Sequence, residues 1–249
     1  MANLAGIQDG VVPRKELVGQ GLGRGAIDHR VATGNLHVIH HGVYAVGHRA
    51  LSRRGYLRAA LLACGEAAVL SHRTAAHLWE ISPTSSALIE IAGPTHRRGG
   101  KGFRYRQSNL HPDDIAEVDG FPVTSVARTL LDLAGIADRN RVERALERAV
   151  RLQLFDLRTT IETIGRNRGK KGTGLLTALI ADFDPASPET RSGNERKFLR
   201  LLRQSNLPRP QINTLVEGFL VDFYWPQHNL IVEIDAYGTH GSEKASPER

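Results

Sequence analysis

The sequence is poor in cysteine and has no long apolar run. Its single cysteine, Cys64, lies in the apolar segment LLAC, so the chain can form neither an intramolecular disulfide nor a zinc site built on cysteines. We interpret Cys64 as a small core residue of a protein from a reducing compartment. No apolar run approaches the roughly 18 residues that a membrane-spanning helix needs. These absences exclude a disulfide scaffold, a cysteine-based zinc domain and a helical membrane protein.

The first residues, MANLAGIQDGVVPRK, lack a secretory signal, because no apolar stretch follows a basic start. We therefore predict a cytoplasmic protein with no membrane partner. At 249 residues, with 41% hydrophobic and 24% charged residues, the chain has the composition of a soluble globular protein with one to three domains.

The chain is basic, with a formal net charge of +7 and a pI near 9.9. This positive charge favours binding to phosphate backbones or to acidic partners, although its role can also be only to keep the protein in solution. The arginines between 139 and 151 recur at helical spacing but alternate with Glu143 and Glu147, which is typical of a solvated, salt-bridged helix face. The cluster RNRGKK lacks the spacing of a phosphate-binding loop, so we interpret it as a basic turn.

The N-terminal region predicts a winged helix-turn-helix. LAGIQ, RKELVGQ and GRGAIDHRVATG are short helix-like pieces, and LHVIHH and GVYAVG then alternate as two strands. In that arrangement the helix from 24 to 32 enters the major groove, with Arg24, His29 and Arg30 facing DNA and with Ile27 and Val31 facing inward. A three-helix unit with a hairpin can instead be a protein-binding module.

The middle of the chain mixes helix and strand patterns. GYLRAALLAC, SHRTAAHLWEI and SVARTLLDLAG predict helices, the last two with Ser71 and Ser125 as N-caps, whereas ALIEIAG and FRYRQ predict strands. Residues 140–181 predict one or two amphipathic helices, and FDPASPETRSG is typical of a linker.

Two groups of histidines lack the spacing of metal ligands. His72 and His77 are five positions apart on one predicted helix, so we expect packing or capping roles. His37, His40 and His41 are expected to be exposed polar residues of the hairpin.

The segment VDFYWPQHNLIVEID predicts a hairpin that carries carboxylates on one face. If PQHN is a turn centred between Gln227 and His228, Asp222 and Glu233 are cross-strand neighbours, and Asp235 joins them two residues later. The opposite face, which should be buried, consists of Val221, Phe223, Val232 and Ile234. Opposed carboxylates repel each other unless a cation lies between them, and Mg²⁺ or Mn²⁺ is the expected ion.

Two other interpretations of these acids remain open. The carboxylates can pair with nearby arginine or lysine, or can protect an edge strand from aggregation. A register slip of one residue would separate them.

The run from Asn194 to Gly241 resembles the nuclease-like family called domain of unknown function 559. That family is related to the very-short-patch-repair (Vsr-like) endonucleases of the PD-(D/E)XK superfamily. The matching residues are Glu195 at the start of a helix, VDFYWP, and VEIDAYGTHG. The resemblance implies that Asp222 and Glu233 are metal ligands. It also implies that Glu195, Asp235 and His240 are catalytic.

Residues 3–135 resemble proteins with an AbiEi-type antitoxin region. The segments that carry this resemblance are GVVPRKELVGQGLGRGAIDHRV, LHVIHHGVYAVGH, AVLSHRTAAHLWEI and GFPVTSVARTLLDLA. The resemblance implies an N-terminal winged helix that binds DNA and a middle region with antitoxin function.

The chain departs from these families at three places. Gly23 and Gly25 give the predicted recognition helix a poor cap and little charge, so low DNA affinity is expected. Asp235 occupies the position where many nucleases of the superfamily have a catalytic lysine, so proton transfer would fall to His240 or Lys244. The chain ends at Arg249, before a further helix and strand of the related fold, and we expect a truncated nuclease domain with weak or no activity.

The sequence therefore predicts a multidomain α+β chain. Its predicted parts are a winged helix-turn-helix at 1–50, an α+β antitoxin-like domain at 51–137, a helical connector at 138–182, a linker at 183–192, and an incomplete α/β restriction-endonuclease-like domain at 193–249. The leading hypothesis is a DNA-binding transcriptional regulator of the antitoxin type, with DNA and a cognate toxin as partners. The alternatives are a DNA endonuclease that depends on Mg²⁺ or Mn²⁺, and an antitoxin that binds protein rather than DNA.

Overall fold

The computed structural model describes residues 6, 8–83, 88–181, 198, 201–202, 204–205, 207–217 and 219–234. The chain divides into two compact units, Met1–Asp182 and Phe183–Arg249, and it combines helices with β-sheets, so the α+β prediction is confirmed at that level. The predicted boundaries at 50 and 137 lie inside the first unit, whereas the predicted linker lies outside the described residues. None of the helices in the described ranges is long and apolar enough to cross a membrane.

The first unit begins with two short helices packed on a small antiparallel sheet. Its elements are β1 (Val11–Pro13), α1 (Arg14–Gly19), α2 (Arg24–Ala32), β2 (Leu36–His40) and β3 (Val43–Val46). The strand order is β1-β3-β2. Leu17, Ile27 and Leu36 are fully buried between the helices and the sheet, because each is an apolar residue at the inward position of its element.

These elements match the sequence pattern with one addition. The helices predicted in RKELVGQ and GRGAIDHRVATG and both hairpin strands are present, whereas most of LAGIQ lies outside the described residues. Strand β1 is missing from the prediction, because three residues, VVP, are too few to show a period of two. Gly42 has φ +70 at the hairpin turn, a conformation that glycine adopts without strain.

Helix α3 (Arg53–Cys64) is shared by two hydrophobic cores. Ser52 caps it by accepting a hydrogen bond from the amide of Gly55. On one side Ala59 packs against the small sheet, and on the other side Leu57 and Leu61 enter the core of a larger sheet. An apolar surface on two sides of one helix therefore joins the N-terminal elements to the rest of the unit.

The larger sheet has five strands in the order β6-β5-β4-β8-β7. Its strands are β4 (Val69–Leu70), β5 (Ile89–Gly93), β6 (Phe103–Gln107), β7 (Ile115–Val118) and β8 (Phe121–Thr124). The pairs β4–β8 and β5–β6 are parallel, and the others are antiparallel. Helix α4 (His72–Leu78) follows β4, and helix α5 (Val126–Ala134) follows β8, so both helices begin at the same edge of this sheet.

Residues 139–181 form three helices, where the sequence pattern predicts one or two. They are α6 (Arg139–Arg151), α7 (Leu157–Arg166) and α8 (Thr173–Ala181). The extra break falls after Arg151, where Asp156 begins α7 by accepting a hydrogen bond from the amide of Thr159. The turn between α7 and α8 lies against the end of α5, since a Cβ atom on Gly172 would come within 2.5 Å of the backbone nitrogen of Gly135.

The second unit contains an antiparallel sheet of order β11-β10-β9. Its strands are β9 (Gln211–Val216), β10 (Phe219–Trp225) and β11 (Leu230–Val232). Phe223 and Trp225 are buried together with Leu202 on one face, and Val232 and Ile234 pack against them. The buried face predicted for this hairpin is confirmed.

A fully buried guanidinium organises the large sheet and its helices. Arg128 on α5 is 0% exposed, and its three donor groups each have a partner. Nη1 donates to Asp114 Oδ2 at 2.7 Å, Nε donates to Asp132 Oδ1 at 3.1 Å, and Nη2 donates to Ser108 Oγ at 2.7 Å. Both carboxylates are buried as well. The opposite charges therefore neutralise each other at a place where water cannot solvate them.

Two further cations extend this network to α7 and to the turn before α8. Arg166 Nη2 donates to Asp114 Oδ1 at 3.1 Å, and Lys170 Nζ lies 3.1 Å from Asp132 Oδ1. Burial by itself would raise the pKa of Asp114, but the hydrogen bonds from Arg166 and Arg128 outweigh it and hold the pKa below its usual value. The helices after residue 138 are therefore tied to the middle sheet by charge as well as by packing.

His72, the first residue of α4, has an unusual backbone conformation. Its φ of +51 is uncommon for a residue other than glycine, and its side chain is buried. Nδ1 lies 3.0 Å from Ser71 Oγ and 3.9 Å from Asp132 Oδ2. The expected cap by Ser71 is therefore wrong, since its hydroxyl faces the imidazole and makes no hydrogen bond to the amides of α4. Burial lowers the pKa of His72 to about 4, although the nearby charge of Asp132 acts in the opposite direction.

Replacing Arg128 with methionine should lower the free energy of unfolding by about 3–5 kcal/mol, because Asp114 and Asp132 would stay buried without their main cation. Arg141→Met is the matched control, since Arg141 is exposed and pairs with Asp138 at the surface. Arg141→Met should lower the free energy of unfolding by less than about 1 kcal/mol. Urea denaturation measures both variants. Equal losses in the two variants would show that the buried network does not stabilise the fold.

The stability of the protein should fall with acid because of His72. Its pKa is about 4 in the folded chain, against an ordinary value of 6.5, so between these two pH values the unfolded chain binds this proton and the folded chain does not. The shift corresponds to about 3 kcal/mol, present above pH 6.5 and lost as the pH falls to about 4.

The variant His72→Asn tests this dependence, since asparagine tolerates a positive φ and does not titrate. Urea denaturation between pH 7 and pH 4 should show a smaller acid loss in this variant than in the wild type. His77→Asn, on the exposed side of α4, should keep the wild-type dependence. An unchanged acid loss in His72→Asn would contradict the role of His72.

Candidate functional site

The three residues predicted to face DNA lie on α2. Arg24 and His29 are exposed, while Ile27 is buried and Val31 packs against the core, as the periodicity predicts. Arg30 is half-buried, and its Nη1 donates to the carbonyl of Ala26 at 3.1 Å. The outer side of α2 is therefore open to a ligand, with two basic or titratable side chains directed away from the core.

The N-terminus of α2 is weakly capped. The capping position is Gly23, which supplies no side-chain acceptor, as the sequence predicts. Asp28, which is not among the residues predicted to contact DNA, is also exposed on this helix. In the described part of the chain its carboxylate makes no ion pair and no hydrogen bond.

The three histidines of the hairpin differ in exposure. His41 is exposed next to the turn, but His37 and His40 are half-buried, so the expectation of three exposed residues is wrong for these two. The His40 ring packs edge-on against Phe103 of β6, with 4.9 Å between the ring centroids. Burial lowers the pKa of His40, which favours the neutral imidazole in this contact.

Asp9, which lies just before β1, connects the N-terminal elements to α3. Asp9 accepts hydrogen bonds from Arg54 Nε at 2.9 Å and from Arg58 Nε at 3.2 Å. Both guanidinium groups also lie over the ring of Phe121, at 4.7 Å and 4.4 Å from its centroid. Sequence patterns contain no signal for this junction, because its partners are far apart in the chain.

The carboxylates of the second unit lie on the hairpin formed by β10 and β11. The observed pairs, such as Phe223 with Val232 and Trp225 with Leu230, have the predicted register, and β11 ends at Val232, one residue before Glu233. Asp222 is half-buried, and its Oδ2 accepts a hydrogen bond from the amide of Ile234 at 2.8 Å. Glu233 is exposed.

The other predicted members of this site are Glu195, Asp235 and His240, and all three lie outside the described residues. Within the described ranges, no group of three histidine, cysteine, aspartate or glutamate side chains could hold a metal ion. Of the residues predicted for this centre, the described ranges contain Asp222 and Glu233.

Comparison with known proteins does not assign the chain to a family. No family model matches the chain, and no curated protein matches it. Among solved structures, the crystal structure of the RV2827C protein from Mycobacterium tuberculosis is similar, with a TM-score of 0.38 and 16% sequence identity. The match covers 75% of this chain and 80% of that chain. At this TM-score the similarity supports no conclusion about fold or function.

Proposed function

We propose that the protein binds double-stranded DNA through an N-terminal winged helix-turn-helix and acts as a transcriptional regulator of the antitoxin type. The observation that supports this best is the order β1-α1-α2-β2-β3 with the strand order β1-β3-β2. That order supports the proposal, because a winged helix has a strand, two helices joined by a short turn, and a hairpin that pairs with the first strand. Helix-turn-helix units place their second helix in the major groove.

The surface of α2 fits this function. Arg24 lies in its first turn, where a guanidinium can bind a phosphate, and His29, five residues later, is also exposed. The net charge of +7 adds a general attraction to nucleic acid. Arg30 would contribute if its side chain leaves the carbonyl of Ala26 and turns to DNA.

The antitoxin part of the proposal depends on the resemblance over residues 3–135. The partner in that role would be a cognate toxin protein, bound by the five-stranded sheet and its helices. In the alternative, the N-terminal helices and small sheet bind the toxin instead of DNA. The protein should then not bind duplex DNA.

A second candidate function is that of a DNA endonuclease, and the register of the β10–β11 hairpin favours it. Asp222 and Glu233 would hold Mg²⁺ or Mn²⁺, since Asp222 uses Oδ2 for the amide of Ile234 and its Oδ1 has no hydrogen-bond partner in the described ranges. Such an ion supplies Lewis-acid polarisation of a phosphodiester oxygen. Glu195, Asp235 and His240 would be the catalytic residues in this function.

Replacing both Arg24 and Arg30 with alanine should weaken duplex binding and its dependence on salt. Each lost phosphate contact takes about one unit off the slope of log K against log salt concentration. Fluorescence anisotropy with duplexes from the upstream region of the gene, at several salt concentrations, measures the slope. Arg141→Ala is the control, because this exposed arginine lies on α6. An unchanged slope in the double variant would contradict binding through α2.

Replacing Asp222 with asparagine should abolish metal binding and DNA nicking if the second function is correct. Asparagine keeps the acceptor for the amide of Ile234 but removes the negative charge, so loss of folding does not explain the result. Calorimetry with Mn²⁺ and a plasmid-nicking assay on the same samples provide the measurement. Asp113→Asn, an exposed acid of the first unit, serves as the control. A wild-type chain that binds no ion would exclude this function.

A further inference from the structure

The exposed side of α2 carries an acid among its basic residues. Asp28 lies one helical turn after Arg24 and next to His29, and all three are exposed. Arg24 and Asp28 form no ion pair with each other or with any other residue in the described ranges. The carboxylate is therefore not neutralised within this part of the protein, although it lies on the surface that would face DNA.

An acid at this place opposes binding to DNA in general. Phosphates repel a carboxylate, and its charge cancels about one of the basic contacts that drive association. The free-energy cost of this repulsion is offset where the carboxylate accepts a hydrogen bond from a base edge. In the major groove, the N4 amino group of cytosine is the donor with which aspartate and glutamate pair.

The neighbours of Asp28 allow such a contact. The other exposed positions on the body of α2 are Gly25 and Ala32, which have little or no side chain. A helix with small residues on its outer side can approach base edges closely, and a short side chain such as aspartate needs that approach. Arg24, in the first turn, is placed to bind a phosphate while Asp28 and His29 face the groove.

We propose that Asp28 is a specificity-determining residue, whose carboxylate accepts a hydrogen bond from the N4 amino group of a cytosine and disfavours duplexes without that base. This inference rests on the proposed DNA-binding function. In this proposal Asp28 discriminates between target and non-target DNA. Arg24 contacts a phosphate, which is present in every sequence.

Selection of duplexes from a randomised pool tests the inference, with the wild-type chain and with Asp28→Asn and Asp28→Ala. The wild type should enrich cytosine at one position, with discrimination of about 10- to 100-fold against the other bases. Asp28→Asn should enrich adenine there instead, because asparagine pairs with the adenine edge. Asp28→Ala should lose the preference. Both variants should bind unselected DNA more tightly, with a salt slope steeper by about one unit.

Glu117→Gln is the matched control, since it removes one exposed negative charge on β7 and should leave the selected sequences and the salt slope unchanged. If the wild type binds duplexes and Asp28→Asn selects the same sequences, the inference is overturned while DNA binding stands. Enrichment of a base other than cytosine at the position that depends on Asp28 also overturns it. If the wild type binds no duplex, the inference and the proposed function fail together.

Discussion

The buried charge of Arg128 is the interaction on which the first unit depends. A guanidinium without access to water needs acceptors on every side, and Asp114, Asp132 and Ser108 provide them. These acceptors lie on α5 itself, before β7 and after β6, so the strands and the helix can take few other relative positions. Arg166 and Lys170 then balance the second negative charge and attach α7 and the following turn to the same centre.

Helix α3 connects the N-terminal elements with the five-stranded sheet. The helix packs on both sheets, and its Arg54 and Arg58 connect Asp9 to Phe121 at the start of β8. The contact of His40 with Phe103 adds a second connection, from the hairpin to β6. The N-terminal elements are therefore held against the five-stranded sheet at two places.

Some charged side chains in the described ranges are balanced within the fold, and others are not. Arg128, Asp114 and Asp132 are buried and paired with one another, so removing Arg128 would leave the two carboxylates buried without their main counter-charge. Arg24 and Asp28 are exposed, and no pairing involves them in the described ranges, so they are available to a partner. Asp222 Oδ2 accepts a hydrogen bond from the amide of Ile234, whereas its Oδ1 has no hydrogen-bond partner in the described ranges.

Elements whose signal is local could be predicted from the sequence. Periodicity placed α2 with Ile27 inward, and alternation placed the β10–β11 hairpin with its register and its buried face. Local patterns did not reveal β1, because it is three residues long and is held by pairing with β3. They also did not reveal that Arg128 is a core residue, that Ser71 faces His72, or that Asp9 binds two arginines of α3. Burial and charge pairing depend on residues that are distant in the chain, so these features follow from the folded structure and not from a local pattern.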